Sequence, residues 1–417
     1  MNTAATVVLS RVWASRAALW VLVATTIANV FAYGYQVVMA RLLRPGDYAI
    51  LTALFGVLIL ESLGAQVIQS ATARIAAQYV AHDDEPALHV FVRRWTRRIL
   101  LLAGLPALVI VVAAPFVGAA LSLPVLDVML LGLALFIAAP LTFTGGLLQG
   151  LGRFGWYFIV QAVARLAIGV TLVILGFEVT GAFVGALGAL VAGLALSAVA
   201  LAPLFRAARG ATHSAELGRA ETRFFLLASV IMLAYAALTN IDAIASRAVL
   251  PVADAGAYAG AITMAKVVLF APIAVGFILL ERTARAHAKG DDTDRPLFIA
   301  LGFVVVTSGA VAAAYLIAPA FFTRIVVGDQ YPLTPTLIGP YAVAALLNAL
   351  LSLWIAHFIG RGEMRFGLLL AAGVVAEIGL IVAGARDAGA LVRIVLEVAV
   401  AMQLAALATF WWERRRR

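Results

Sequence analysis

Residues 40–49 read ARLLRPGDYA, and residues 246–259 read SRAVLPVADAGAYA. Each stretch closes a long apolar run and carries an arginine, a proline and a tyrosine in the same order. Arg41 aligns with Arg247 and Pro45 with Pro251 at an offset of 206, and Tyr48 meets Tyr258 after a four-residue insertion. A second anchor lies further along, where RFGWYF at Arg153 matches RFGLLL at Arg365 at an offset of 212. Two similar offsets, each about half of the 417 residues, predict a duplicated unit. With six helices per unit the repeat is parallel, its axis lying along the membrane normal. Residues 1–205 and 224–417 are the two predicted six-helix lobes, joined by a linker at 206–223, and the second ends in a basic tail.

Composition says which solvent these units occupy. The chain is 64% hydrophobic and only 12% charged, with a mean hydropathy of +1.05. An ordinary soluble domain is about 25% charged. A soluble enzyme is therefore excluded, because a globule of this size has too little interior to hide so much apolar surface. A transmembrane helix needs about 20 mainly apolar residues. Twelve such runs are found, at 17–40, 47–71, 99–121, 126–149, 156–176, 178–203, 224–247, 256–281, 297–320, 334–358, 366–384 and 389–411. The predicted class is an all-α polytopic membrane protein with about twelve spans.

The formal charge of +9 then describes loops rather than nucleic-acid binding. With the N-terminus placed inside, 22 of the Arg and Lys residues fall on the cytoplasmic side and six on the outer side. That asymmetry places both termini in the cytoplasm. The absence of cysteine excludes disulfides and thiolate metal sites. The basic stretch 72–98 reads either as a surface helix on anionic lipid or as plain extensions of its neighbouring spans. Gly181, Gly185, Gly188 and Gly193 have the small-residue spacing that lets helix backbones approach closely.

Four stretches carry a family resemblance. MARLLRPGDYA leads into a span ending LGAQVIQSATARIAAQY, and LLQGLGRFGWYF follows span four. NIDAIASRAVLPVADAGAYAGAITMAK covers spans seven and eight, and VVGDQYPLTPTLIGPYAVAALLNALLSLWIAHFIGRGEMRF surrounds span ten. Together they resemble the polysaccharide-biosynthesis and oligosaccharide-lipid flippases of the multidrug/oligosaccharidyl-lipid/polysaccharide exporter superfamily. The resemblance implies two six-helix lobes around a central cavity that opens alternately to either side. It also implies a polyprenyl-diphosphate-linked oligosaccharide as cargo, moved from the cytoplasmic to the outer leaflet of a bacterial inner membrane for lipopolysaccharide or exopolysaccharide assembly. Some relatives have fourteen spans, where this chain has twelve.

Ionisable groups inside spans are expensive and mark function by default. Arg165 lies about 14 Å into span five and Glu377 about 16 Å into span eleven, at 1.5 Å per residue. Both are near the midplane and stand at the repeat offset of 212, which predicts that they face one another between the lobes. Either they form a structural pair or they work on cargo. Arginine suits a lipid diphosphate because guanidinium stays charged and binds phosphate oxygens bidentately. Arg165, Arg41, Arg247 and Lys266 are the substrate-binding candidates, and Arg41 and Arg247 serve equally well as interfacial anchors. Glu377, Asp242 and Glu61 are candidates for coupling to a proton or sodium ion. Asp242 matches an acidic position in the family pattern, and neutralising Arg247 is the competing account of it. Asn29, Tyr33, Tyr35 and Gln36 could contact sugar hydroxyls or simply pack.

Other chemistries are set aside. There is no GxxxxGK[ST] loop, so no ATP site of that kind and no cofactor is expected. His82, His89, His213, His287 and His357 lack metal-ligand spacing and read as solvated residues at loops and span ends. Two further functions stay open. A cation-coupled multidrug exporter would favour an acidic, aromatic cavity. A membrane saccharide polymerase or ligase would need a sizeable outer loop with paired carboxylates, and no such loop is present.

Overall fold

The computed structural model describes residues 27–152, 156–208, 219–269, 292–363 and 365–415, with 272, 275, 276, 278–280, 282, 283 and 286. All the regular structure in these residues is helical. We number the helices α1 (27–42), α2 (Pro45–Ala81), α3 (Glu85–Val112), α4 (Ala114–Leu121), α5 (Val125–Gly150), α6 (Trp156–Leu172), α7 (Glu178–Ala200) and α8 (Ala202–Ala208). The second half contributes α9 (Arg219–Leu238), α10 (Ile241–Val249), α11 (Val252–Ala265), α12 (Asp294–Ile317), α13 (Pro319–Val326), α14 (Thr334–Gly360), α15 (Phe366–Gly384) and α16 (Ala388–Arg414).

Nine segments of the described residues are long and apolar enough to cross a membrane. One of them, Ile159–Ala200, holds predicted spans five and six. The chain reverses between these two at Gly176 (φ 91°), within a π-helical stretch at Val173–Phe177, and at Glu178 (φ 43°). Spans one and eight fall partly outside the described residues. The surface is that of a bilayer protein: Leu101, Leu102 and Leu105 of α3 are 74%, 70% and 67% exposed, and Val306 and Ile317 of α12 are similarly open. The stretch 72–98 is not a separate surface helix. It is the end of α2 and the start of α3, separated by residues 82–84, with Asp84 accepting from the Ala87 amide to cap α3.

The chain forms two compact units, the first comprising Met1–Met39, Ala65–Val117 and Pro124–Thr222, and the second Ala40–Gly64, Gly118–Leu123 and Arg223–Arg417. In the first, α6 runs along α7, α5 packs on α3 and α7, and α8 closes on α3. Phe91, Phe143, Ile75 and Leu147 fill its core. The glycine row of α7 does what its spacing predicts. Gly185 lies against the Gly169 backbone and the Arg165 carbonyl, Gly181 against Leu172 and Gly188 against Ile168. In the second unit α14 is central, touching α11, α12, α13 and α16.

The quoted repeat is a helix-break device. In each copy an arginine stands one or two residues before the end of a helix, and a proline is the first residue of the next, as Pro45 is of α2, or its N-cap, as Pro251 is of α11. Proline suits a helix start because the amide it lacks would be unpaired there. Asp47 and Asp254 sit in the first turns, where carboxylates favour the helix dipole. Both copies belong to the second unit and pack on each other. Gly46 lies under Val252, and Gly256 lies so close to Pro45 that an added Cβ would stand 2.5 Å from the Pro45 Cβ. The Tyr48 and Thr263 hydroxyls share a 2.5 Å hydrogen bond. Gly256→Leu should therefore destabilise the protein by about 3 kcal/mol, the upper end for overpacking where backbone must yield. A thermal-unfolding midpoint in detergent within error of wild type would refute this close packing. The second anchor cannot be compared, because Arg153 lies outside the described residues, as do 209–218 of the linker.

Candidate functional site

Span seven is two helices, α9 and α10. At their junction Thr239 turns its hydroxyl back onto the Tyr235 carbonyl, and Asn240 donates to the Ala236 carbonyl at 2.9 Å. Such side chains compete with the helical ladder. The break puts Asp242 in the first turn of α10, 1% exposed, where side chains from two other helices reach it. Tyr258 of α11 and Tyr341 of α14 both donate to Asp242 Oδ2 at 2.6 Å, their rings edge-to-face at 5.3 Å. Asp242 Oδ1 has no partner.

Glu377 of α15 is also 1% exposed, and neither of its carboxylate oxygens has a partner. Asp242, Tyr258 and Tyr341 lie near enough to interact with it electrostatically. Asn348 lies two turns beyond Tyr341 with Oδ1 unpaired, and Tyr235 donates to its backbone carbonyl at 3.0 Å. Two carboxylates in a low-dielectric setting cannot both stay ionised without a positive partner. This pocket of oxygen atoms suits protons or one small monovalent cation. Among the described residues no group of three or more His, Asp or Glu gathers, so a site for a multiply coordinated metal is not formed there.

The other predicted residues fall elsewhere. Arg41 serves its own unit: its guanidinium donates to the Val326 and Arg324 carbonyls at 3.3 Å, and also to that of Ile325. These are the last carbonyls of α13, where a cation complements the helix dipole. The contact is reciprocal, since Gln330 and Tyr331 donate to the Ala40 carbonyl at 2.5 and 2.7 Å. Burial, with Tyr48 beside it, holds the Tyr331 phenol protonated well above its ordinary range. Arg247 is half-buried near the end of α10 with Nε unpartnered. Asp242 meets two tyrosines rather than neutralising Arg247. Glu61 is half-buried in α2, and Lys266 is half-buried at the end of α11.

In the first unit Arg165 lies mid-way along α6, half-buried, with Nε unpartnered. Tyr35 packs its ring on Gly169, one turn further on, and donates to the Ala182 carbonyl at 2.5 Å. Two side chains escaped the sequence reading. Asp127 is fully buried in the first turn of α5, accepting from Thr180 at 2.8 Å, and it reads in sequence as a span boundary. His357, expected to be solvated, is instead buried against Phe358 and Phe410, because Phe410 of α16 closes over it.

The fold is that of an all-α polytopic membrane protein. The chain is similar to a multidrug-resistance MATE family transporter of the MOP superfamily in an inward-facing conformation, with TM-score 0.71 and 15% identity over 93% of this chain and 94% of that one. It is also similar to the lipid II flippase MurJ, with TM-score 0.67 and 11% identity over 94% and 87% of the two chains. A third likeness is to a MOP superfamily transporter from Pyrococcus furiosus whose binding pocket is described as of reversed polarity, at TM-score 0.60 and 16% identity over 96% and 95%. At these identities the likeness is one of fold. No protein-family model matches the sequence, and no curated protein matches it either.

Proposed function

We propose that the protein flips a polyprenyl-diphosphate-linked oligosaccharide from the cytoplasmic to the outer leaflet by alternating access, driven by a proton or sodium ion. The observation that carries this reading is Arg165, a guanidinium in the middle of a membrane helix with an unspent Nε hydrogen. A charge at the bilayer centre costs at least about 2.5–3.5 kcal/mol, so the position calls for an anion to offset it. The Asp242–Glu377 pair supplies the coupling site. Cargo and ion shift the equilibrium only by binding the two access states unequally. In this reading 1–205 and 224–417 act as the two lobes, and both termini lie in the cytoplasm.

A multidrug-exporter reading shares the ion site and the fold likeness to the MATE transporter. It fares worse at Arg165 and Arg247, which would repel a cationic drug. The test is reconstitution in liposomes with a fluorescent polyprenyl-diphosphate saccharide and a membrane-impermeant quencher. Label should cross leaflets only with the protein and faster under an imposed proton or sodium gradient. Gradient-driven efflux of organic cations without movement of the saccharide lipid would reject the flippase reading in favour of the exporter.

A further inference from the structure

The first unit contains an apolar pocket that the transport reading does not use. It has a volume of about 270 Å³ and is lined by Ile99 and Leu100 of α3, Phe136 and Pro140 of α5, Leu194 of α7 and Phe205 of α8. Two hydroxyls also border it, and both are already spent. Thr96 donates to the Val92 carbonyl at 2.7 Å, and Thr144 donates to the Leu141 carbonyl at 3.0 Å while sharing a 2.8 Å bond with Ser197. A cavity lined this way offers water no partners and suits hydrocarbon. The lining residue Leu100 is itself exposed, and Leu101, Leu102 and Leu105 of the same helix are more so, so the pocket borders lipid-facing surface.

Charge then says what kind of chain. The pocket lies beside the middle of α3, against the middle and second half of α5 and near the end of α7. Arg93 and Arg94 stand up to one turn before the lining residues Thr96, Ile99 and Leu100 of α3, and Arg97 and Arg98 stand between them. Arg93 and Arg97 precede Thr96 and Leu100 by three residues and share their helix face. Arg97 and Arg98 are exposed, and the Arg98 guanidinium stacks 5.5 Å from the Trp95 ring centre. Arg206, also exposed, adjoins the lining residue Phe205 on α8. The acids of this region, Asp83, Asp84 and Glu85, lie about 12 Å or more further back along the chain at 1.5 Å per residue.

We infer that this pocket is a binding site for an anionic phospholipid, one acyl chain lying in the cavity and the phosphate held by the arginine patch on α3 and α8. Anionic lipids are the abundant negative groups at a membrane surface, and each nearby arginine adds to their attraction. The site stands whatever the transported cargo is, and it makes the first unit sensitive to the composition of the leaflet.

The test uses the full-length protein in nanodiscs of phosphatidylcholine with or without phosphatidylglycerol, and counts retained lipid by native mass spectrometry. Wild type should retain one phosphatidylglycerol in preference to phosphatidylcholine by about tenfold. Ala198→Trp, at the exposed rim of the pocket, should abolish that retention. The Arg97→Gln/Arg98→Gln pair, which leaves the packed core untouched, should bring the preference close to one. Equal retention of both lipids by wild type overturns the inference, and so does retention unchanged in the arginine pair. Selective displacement of phosphatidylglycerol by a polyprenyl phosphate would also overturn it, giving the pocket to the cargo tail.

Discussion

Asp242→Asn is expected to reduce ion-driven transport by about tenfold or more while leaving the protein folded. The carboxylate accepts two tyrosine hydroxyls on one oxygen and leaves the other free, beside a glutamate with no partner at all. An amide of the same size can still accept a hydroxyl but can neither release a proton nor neutralise a cation. Without a group that binds and releases the ion, the coupled step loses the unequal ion binding of the two access states that drives it. Glu377→Gln should act in the same direction. Stability should change little, because the two carboxyls are not both ionised to begin with and the amide keeps an acceptor for the tyrosine hydroxyls. The double variant Asp242→Asn/Glu377→Gln, assayed in liposomes under an imposed gradient, should then show residual movement indifferent to that gradient. Full gradient dependence in the double variant would remove the pair from the coupling mechanism. Tyr341→Phe deletes one donor to Asp242 and should have a smaller effect than either carboxyl change.

The carboxyls themselves were legible in the sequence because an acid inside an apolar run stands out against its surroundings. Their company was not. Tyr258 could be read only as the repeat partner of Tyr48, and Tyr341 only as one aromatic among many in span ten. What joins them to Asp242 is the break at Thr239–Asn240, a local competition between side chain and backbone that leaves no mark on hydropathy. Arg41 shows the same limit from the other side. Its position near a helix end pointed to the membrane surface, yet its carbonyl partners lie more than 280 residues away in sequence, in a helix that no periodicity links to it. His357 was placed at a span end, as it is, but exposure at a span end depends on which neighbours close over it, and Phe410 of α16 does so. The glycines of α7 were legible because close approach needs small residues wherever the partner helix comes from. Long apolar runs found their helices for a similar reason: the bilayer acts as solvent on every span alike, whereas a polar site is assembled from particular partners.

Arg165→Ala and Arg165→Lys should both cut delivery of the saccharide lipid to the outer leaflet, by about tenfold or more for alanine, with normal abundance in the membrane. The alanine variant loses charge-assisted bonds to cargo of about 1.5–3 kcal/mol. Lysine keeps the charge but replaces a planar fork with a point charge, so it forfeits bidentate contact with phosphate oxygens. The main-chain surroundings make the residue a fair target for substitution. Helix α6 is held at this level by Gly185 of α7 against the Gly169 backbone and the Arg165 carbonyl, and by Tyr35 on Gly169, the Tyr35 hydroxyl also interacting electrostatically with the Arg165 guanidinium. Removing an unpaired charge from mid-span should therefore leave stability unchanged or raise it. A residue kept for packing would show the opposite pattern, with lower abundance and unimpaired transport per molecule. Cells expressing Arg165→Ala at wild-type levels would be scored for surface polysaccharide and for saccharide lipid retained on the inner leaflet. Full surface polysaccharide in those cells would reduce Arg165 to a structural residue and leave the anionic cargo without its principal contact. Loss of transport in alanine with complete recovery in lysine would keep the anion but show that charge alone is recognised, which a diphosphate gripped by a guanidinium fork does not predict.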